Sequence, residues 1–240
     1  MSASMTPATV ELSALAQRTL RDLLRVWFAF ERRLARLPIV QRLHAGTFTR
    51  EDYLRLLLNL RQQVIEGSRW ISRGASSFDR EHSDVRSIVI GHAQAEHRDY
   101  EILEQDFIAS GGDAQLIRSR ARNAGSEALH GYLMYRAGEP NPSGLLGAMW
   151  IIEGLGEKMA SDWAARIEQI DGLDTSCTRF MRYHGANDGS HMNKLYALLQ
   201  RVCSSEQVAV DIVCVATVVG RLYALQLEEI DNDWQSEPTA

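Results

Sequence analysis

From about Val10 to about Trp234 the chain carries apolar residues at helical spacing, and no stretch alternates as a strand would. The pattern is broken only by short stops: Pro38, the Gly111-Gly112 pair, the run GEPNPSG at 138–144 and DGLD at 171–174. Proline lacks the amide that continues a helical ladder, and a glycine pair is a natural C-terminal stop. The first helix is predicted from about Val10 to Leu37. A second follows Thr49, which can cap it with Asp52 three residues on, and runs to about Ser76. A third starts near Ser83 and ends at the glycine pair, and a fourth starts after Asp113, with Gly125 as a point where it could break. The fifth, opened by Pro142, is LLGAMWIIEGLGEKMASDWAARIEQI; the sixth contains YHGANDGSHM at 183–192; the last runs from about Ser205 to Trp234. Helices of about 25 residues joined by short turns bury their apolar stripes only against one another. The expected fold is therefore all-α, a single seven-helix bundle over residues 1–240, with 1–9 and 235–240 as flexible tails.

Composition narrows the partners. With 240 residues there is ample length for a core, and a net charge of −5 provides no basic stripe to neutralise phosphates. Nucleic acid is not expected. The longest apolar run, IVCVATVV at 212–219, is too short to cross a bilayer, so no membrane partner is expected either. Cys177, Cys203 and Cys214 sit in apolar helical contexts and read as reduced thiols, and the N-terminus shows no secretory pattern. A cytoplasmic location follows as an expectation.

The chemistry concentrates in a few helices. His184, Asp188 and His191 fall at i, i+4 and i+7, one face of a helix, and imidazole with carboxylate suits iron or manganese. Gly185 and Gly189 lie in the same helix, each costing about 1 kcal/mol relative to alanine. A polar helix surface with incidental histidines is the plain alternative. Glu153, in GAMWIIEGLGEKMA, has apolar neighbours on nearly every side, and a carboxylate there needs a metal or a cation to compensate it. In GHAQAEHRDYE, His92 and Glu96 share one face of the third helix, while His97 and Glu101 share another about 100° round, so both pairs cannot serve one site. Glu66, between Ile65 and Trp70, is the candidate buried acid of the second helix. Glu127 and His130 form one E-x-x-H; a ferritin-like diiron bundle needs two, and Asp188 to His191 only approximates the second.

A third-helix histidine, a glutamate in an apolar I-E-G helix and then H-x3-D-x2-H, in that order, resembles the haem-oxygenase-like dimetal oxidases and oxygenases. Their superfamily also holds thiaminase II and pyrroloquinoline-quinone synthase, which share the seven-helix bundle without the dimetal site. HAGTFTREDYLRLLLNLRQQV looks like the second-helix region of that superfamily, and the likeness runs from about His44 to Gln200. The resemblance implies that His97, Glu153, His184, Asp188 and His191 are metal ligands, with Glu153 bridging. The further glutamate usual before the third-helix histidine is replaced here by Ser87, Ile90 or Gln94. Glu66 is then the substitute sixth ligand, with Glu96 and Glu101 in reserve.

The expected cofactors are two Fe(II) ions, or manganese, with O2 as co-substrate. The expected substrate is a small amino-acid-derived or fatty-acid-like molecule, altered by N-oxygenation, desaturation or oxidative carbon–carbon cleavage. Glu153, Arg182 and Tyr183 are the candidate catalytic residues, since Arg182, Tyr183 and Arg61 could hold a substrate carboxylate. Metal binding would also order the glycine-weakened sixth helix. A metal-independent relative using Cys177 as nucleophile is the rival. Haem oxygenase itself, with a proximal histidine in the first helix, fits poorly because no histidine precedes His44. A homodimer is a further expectation of the resemblance.

Overall fold

The structure, a computed structural model, describes residues 12–232, with the side chains of 187–193 outside the description. Among the described residues it is all-helical, without strands. Helix α1 (Ala14–Leu34) opens at Ser13, whose hydroxyl accepts the Ala16 N–H, and buries Ala16, Thr19, Leu23, Trp27, Phe30 and Leu34 along one stripe. Pro38 both ends that run and opens α2 (Pro38–Ala45), at the position where its missing amide costs nothing. Helix α3 (Arg50–Ser77) starts in the expected capping box, Thr49 and Asp52 each bonding the other's backbone.

The predicted third helix is two: α4 (Ser83–Glu96) and α5 (Asp99–Ala109), separated at His97 and Arg98. The fourth is likewise divided into α6 (Ala114–Ser119) and α7 (Ala124–Ala137), the second capped by Asn123. The fifth runs unbroken but changes winding: α8 (Leu145–Leu155), a π-helical turn at Gly156–Ala160, then α9 (Ser161–Ile167). Helix α10 (Arg179–Val202) and helix α11 (Glu206–Glu228) are the last two among the described residues. Counting α4 with α5, and α8 with the π turn and α9, the long rods number seven among the described residues. The proposed tails lie outside them.

Helix α11 packs among α1, α7 and α8, burying Ile212, Val215, Ala216, Val219, Tyr223 and Leu227. Its apolar stretch extends well past residues 212–219, so by length and composition this 23-residue helix could cross a membrane. In this fold its apolar stripe lies in the bundle core. On the other side of α8, helix α10 rests on the π turn and α9 and also touches α5 and α4. Gly185 permits that approach: a Cβ there would sit 2.1 Å from Ser161 Oγ and 3.0 Å from its amide nitrogen. The glycine that reads as a weakness in an isolated helix is a packing requirement here.

Candidate metal centre

Helices α4, α5, α8 and α10 bring five ligand-type side chains together in two overlapping triads. His92, Glu96 and Glu153 form one, and Glu96, Asp99 and His184 the other; within each, the candidate ligand atoms lie within 4.8 Å of one another. His92 Nε2 stands 3.0 Å from Glu153 Oε1, and His184 Nε2 stands 3.4 Å from Asp99 Oδ2. Glu96 belongs to both groups. Its burial above all, and then the negative charge of Glu153, push its carboxyl up to about 7, against the pull of His92 and His184. Three acids concentrated in a nearly closed space are costly without compensating positive charge.

Each candidate ligand owes its place to local features. Glu153 is 5% exposed on α8, beside the fully buried Ile151 and one turn before the π winding begins. His92 and Glu96 are a turn apart on α4 and face Glu153 together. The break at His97 and Arg98 restarts the chain as α5, and its first residue, Asp99, is turned back toward the cluster. His184 packs on Phe180, one turn earlier, with ring centroids 4.5 Å apart, and edge-on against Tyr183.

The sequence-derived candidates divide accordingly. Glu153 and His184 are in the cluster. His97, five residues beyond His92, is exposed at the end of α4 with Nδ1 2.8 Å from the Gln94 carbonyl. The third-helix histidine beside Glu153 is therefore His92, as the face argument allowed. Glu66 is buried elsewhere: Arg69 and Arg122 each donate to it at 2.9 Å, and His130 lies 3.7 Å away. Glu127 pairs with Arg122, so the E-x-x-H joins that separate network. Glu101 pairs with Arg98 on the surface. Asp188 and His191 lie outside the described residues. Asp99 was not singled out from sequence, although H-x3-E-x2-D at 92–99 repeats the spacing of H-x3-D-x2-H at 184–191.

The expected carboxylate-binding groups are also accounted for. Arg182 pairs with Glu168, Tyr183 is 41% exposed, and Arg61 is committed to Glu104 at 2.8 Å in a buried pair. None of them lines the cavity of about 100 Å³ that opens beside the cluster. One wall of that cavity is a stripe of α3 running from Leu60 to Ile71; Trp163, Phe180 and Tyr223 form others, and Glu96, Glu153 and His184 close one end. Cys177 is buried apart from the lining residues, its carbonyl accepting the Tyr53 hydroxyl at 2.6 Å.

With this geometry in view, the chain is similar to a number of solved structures, among them the following three. A domain of unknown function with a heme oxygenase-like fold from Shewanella denitrificans OS217 aligns with a TM-score of 0.85 at 18% identity, covering 93% of this chain and 95% of that one. A TenA homolog from Pseudomonas syringae pv. tomato str. DC3000 gives 0.73 at 13% identity, covering 92% and 94%. A TenA homologue from P. horikoshii OT3 gives 0.68 at 12% identity, covering 90% and 97%. No protein-family model matches the chain, and no curated protein matches it by sequence. At these identities the likeness establishes the fold, which is haem-oxygenase-like.

Proposed function

We propose that this haem-oxygenase-like bundle is an O2-dependent non-haem diiron oxidase or oxygenase acting on a small organic substrate. The observation that carries the reading is the meeting of His92, Glu96, Asp99, Glu153 and His184 beside an apolar cavity. The donor set fits the group: hard carboxylates with imidazoles are iron and manganese ligands, and the three carboxylates of the described cluster offset most of the charge of two divalent cations, with Asp188 offsetting the remainder. His92, Glu96 and Glu153 would hold one ion, and Glu96, Asp99 and His184 the other, with Glu96 shared. This differs from the resemblance, which gives the bridging place to Glu153. Asp188 and His191, four and seven residues beyond His184 in the sequence, are proposed to complete the set. Iron(II) held by these residues would supply electrons for the reduction of dioxygen.

The chain's own residues do the rest. Burial pushes the Glu96 carboxyl up to about 7, so near neutral pH it is partly protonated, and taking a cation would displace that fraction of a proton. Trp70, Trp163 and Phe180 keep bulk water from the cavity face of the cluster, where water would compete with a substrate. Tyr223 offers a neutral hydroxyl, since burial pushes its phenol up. The rival that uses Cys177 as nucleophile has less support, because that residue is not in the cavity wall.

Oxygen uptake tests the proposal. Fe(II)-loaded protein is expected to consume O2 faster than free Fe(II) at the same concentration, and Glu153→Gln is expected to lose that excess about tenfold or more. Equal uptake by Glu153→Gln and the unaltered chain would contradict it.

A further inference from the structure

We infer that the cavity beside the cluster takes a neutral, apolar substrate, and that Gly67 sets how large that substrate can be. The inference rests on reading this cavity as the substrate site. Among the described residues no lysine or arginine lines it; its charged groups are Glu96, Glu153 and His184, all at the cluster end. A carboxylate placed against the remaining walls would be buried without a counter-ion, an unfavourable exchange for its hydration. Gln63 and Tyr223 offer neutral hydrogen bonds, which suit a hydroxyl or carbonyl better than an ion.

Gly67 gives the second half of the argument. It lies mid-helix in α3, in the cavity wall with Leu60, Gln63, Val64, Trp70 and Ile71, which recur at helical spacing. A glycine there weakens the helix relative to alanine, and at this position the missing side chain leaves the cavity wall open. At Gly185 the requirement is Ser161; at Gly67 a Cβ would meet nothing within 4 Å. No neighbour forbids a side chain at 67. What the glycine preserves is open space beside the cavity, and a larger residue fills that space without displacing protein atoms at its Cβ.

Three ligands separate charge from chain: 1-octanol, octanoate and L-leucine, titrated into the metal-free full chain. The readout is tryptophan fluorescence, since Trp70 and Trp163 line the cavity. The expected result is saturable binding of 1-octanol at least about tenfold tighter than octanoate or leucine. Gly67→Phe is expected to weaken 1-octanol about tenfold or more while its Tm stays or rises; Gly67→Leu serves the same comparison should the larger ring misfold. Octanoate or leucine binding as tightly as 1-octanol would overturn the inference, as would undiminished 1-octanol binding by the folded position-67 variants. Iron uptake is measured on the same preparations. A chain that binds 1-octanol but takes no iron sinks the diiron reading alone, and one that takes iron but prefers octanoate sinks this inference alone.

Discussion

His92 and His97 are five residues apart on one short run, and only His92 reaches Glu153. In a straight helix the two differ by about 140° of rotation, so one backbone position cannot present both to α8. The histidine type was legible in the sequence; which histidine mattered was not, because the resemblance fixes an order of residues and not a helical phase. His92→Ala is therefore expected to lower bound iron by at least about tenfold in affinity, and His97→Ala to leave it within about threefold, measured by metal analysis after gel filtration. Two glycines behave oppositely for similarly local reasons. Gly185→Ala drives a methyl into Ser161 and should cost about 1–3 kcal/mol. Gly67→Ala should gain about 0.5–1 kcal/mol by restricting the unfolded chain. Urea unfolding at 25 °C reads both, and changes of the same sign would contradict the packing argument.

Between residues and bundle, the elements hold the two halves of the cluster in register. Helix α10 begins at Thr178, whose side chain makes no cap bond to its own helix. The cap comes from α5: Asp106 accepts the Phe180 N–H at 2.7 Å and Arg179 Nε at 3.0 Å. Asp106 lies two turns beyond Asp99, and Phe180 one turn before His184, so this contact sets the spacing of one triad. Asp106→Ala should cost about 2 kcal/mol, as loss of hydrogen bonds to a buried charge does, and should also weaken iron binding. Iron affinity unchanged in a folded Asp106→Ala would show that the clamp is only structural. The π turn after Glu153 packs against α10, and such turns often mark functional sites. Neither device was readable beforehand. The cap joins residues more than seventy positions apart, and the break at 97–98 and the π winding depend on packing more than on residue type. By contrast the caps at Thr49 and the stop at Pro38 are short-range chemistry, and they were legible.

For the molecule as a whole, patterning was enough to give an all-helical bundle of seven long rods, because stripes and stops are both written locally. The site was half legible: Glu153 announced itself as an acid among apolar neighbours, whereas Asp99 became a candidate only once a helix break turned it inward. The buried acids also make stability depend on pH. Glu96 is raised from 4.5 to about 7, and Asp106 from 3.8 to about 6, chiefly by burial. A group that binds its proton more tightly when folded stabilises most below its unfolded value, and that contribution is lost as pH rises through the folded one. Metal-free protein should therefore lose stability between about pH 4 and pH 7. Exposed Asp79, lowered to about 2, acts in the opposite sense and only in more acidic solution. Iron bound as proposed would compete with the Glu96 proton, so the Tm gap between loaded and metal-free protein should widen over the same interval; parallel curves by scanning calorimetry would contradict this. The most direct test of the central claim is an anaerobic Fe(II) titration of the intact chain. It should saturate at about two equivalents, and both Glu153→Gln and His184→Ala should reduce that number. Saturation that never exceeds the non-specific background, or a stoichiometry unaltered in both variants, would show that these five side chains are not a metal centre.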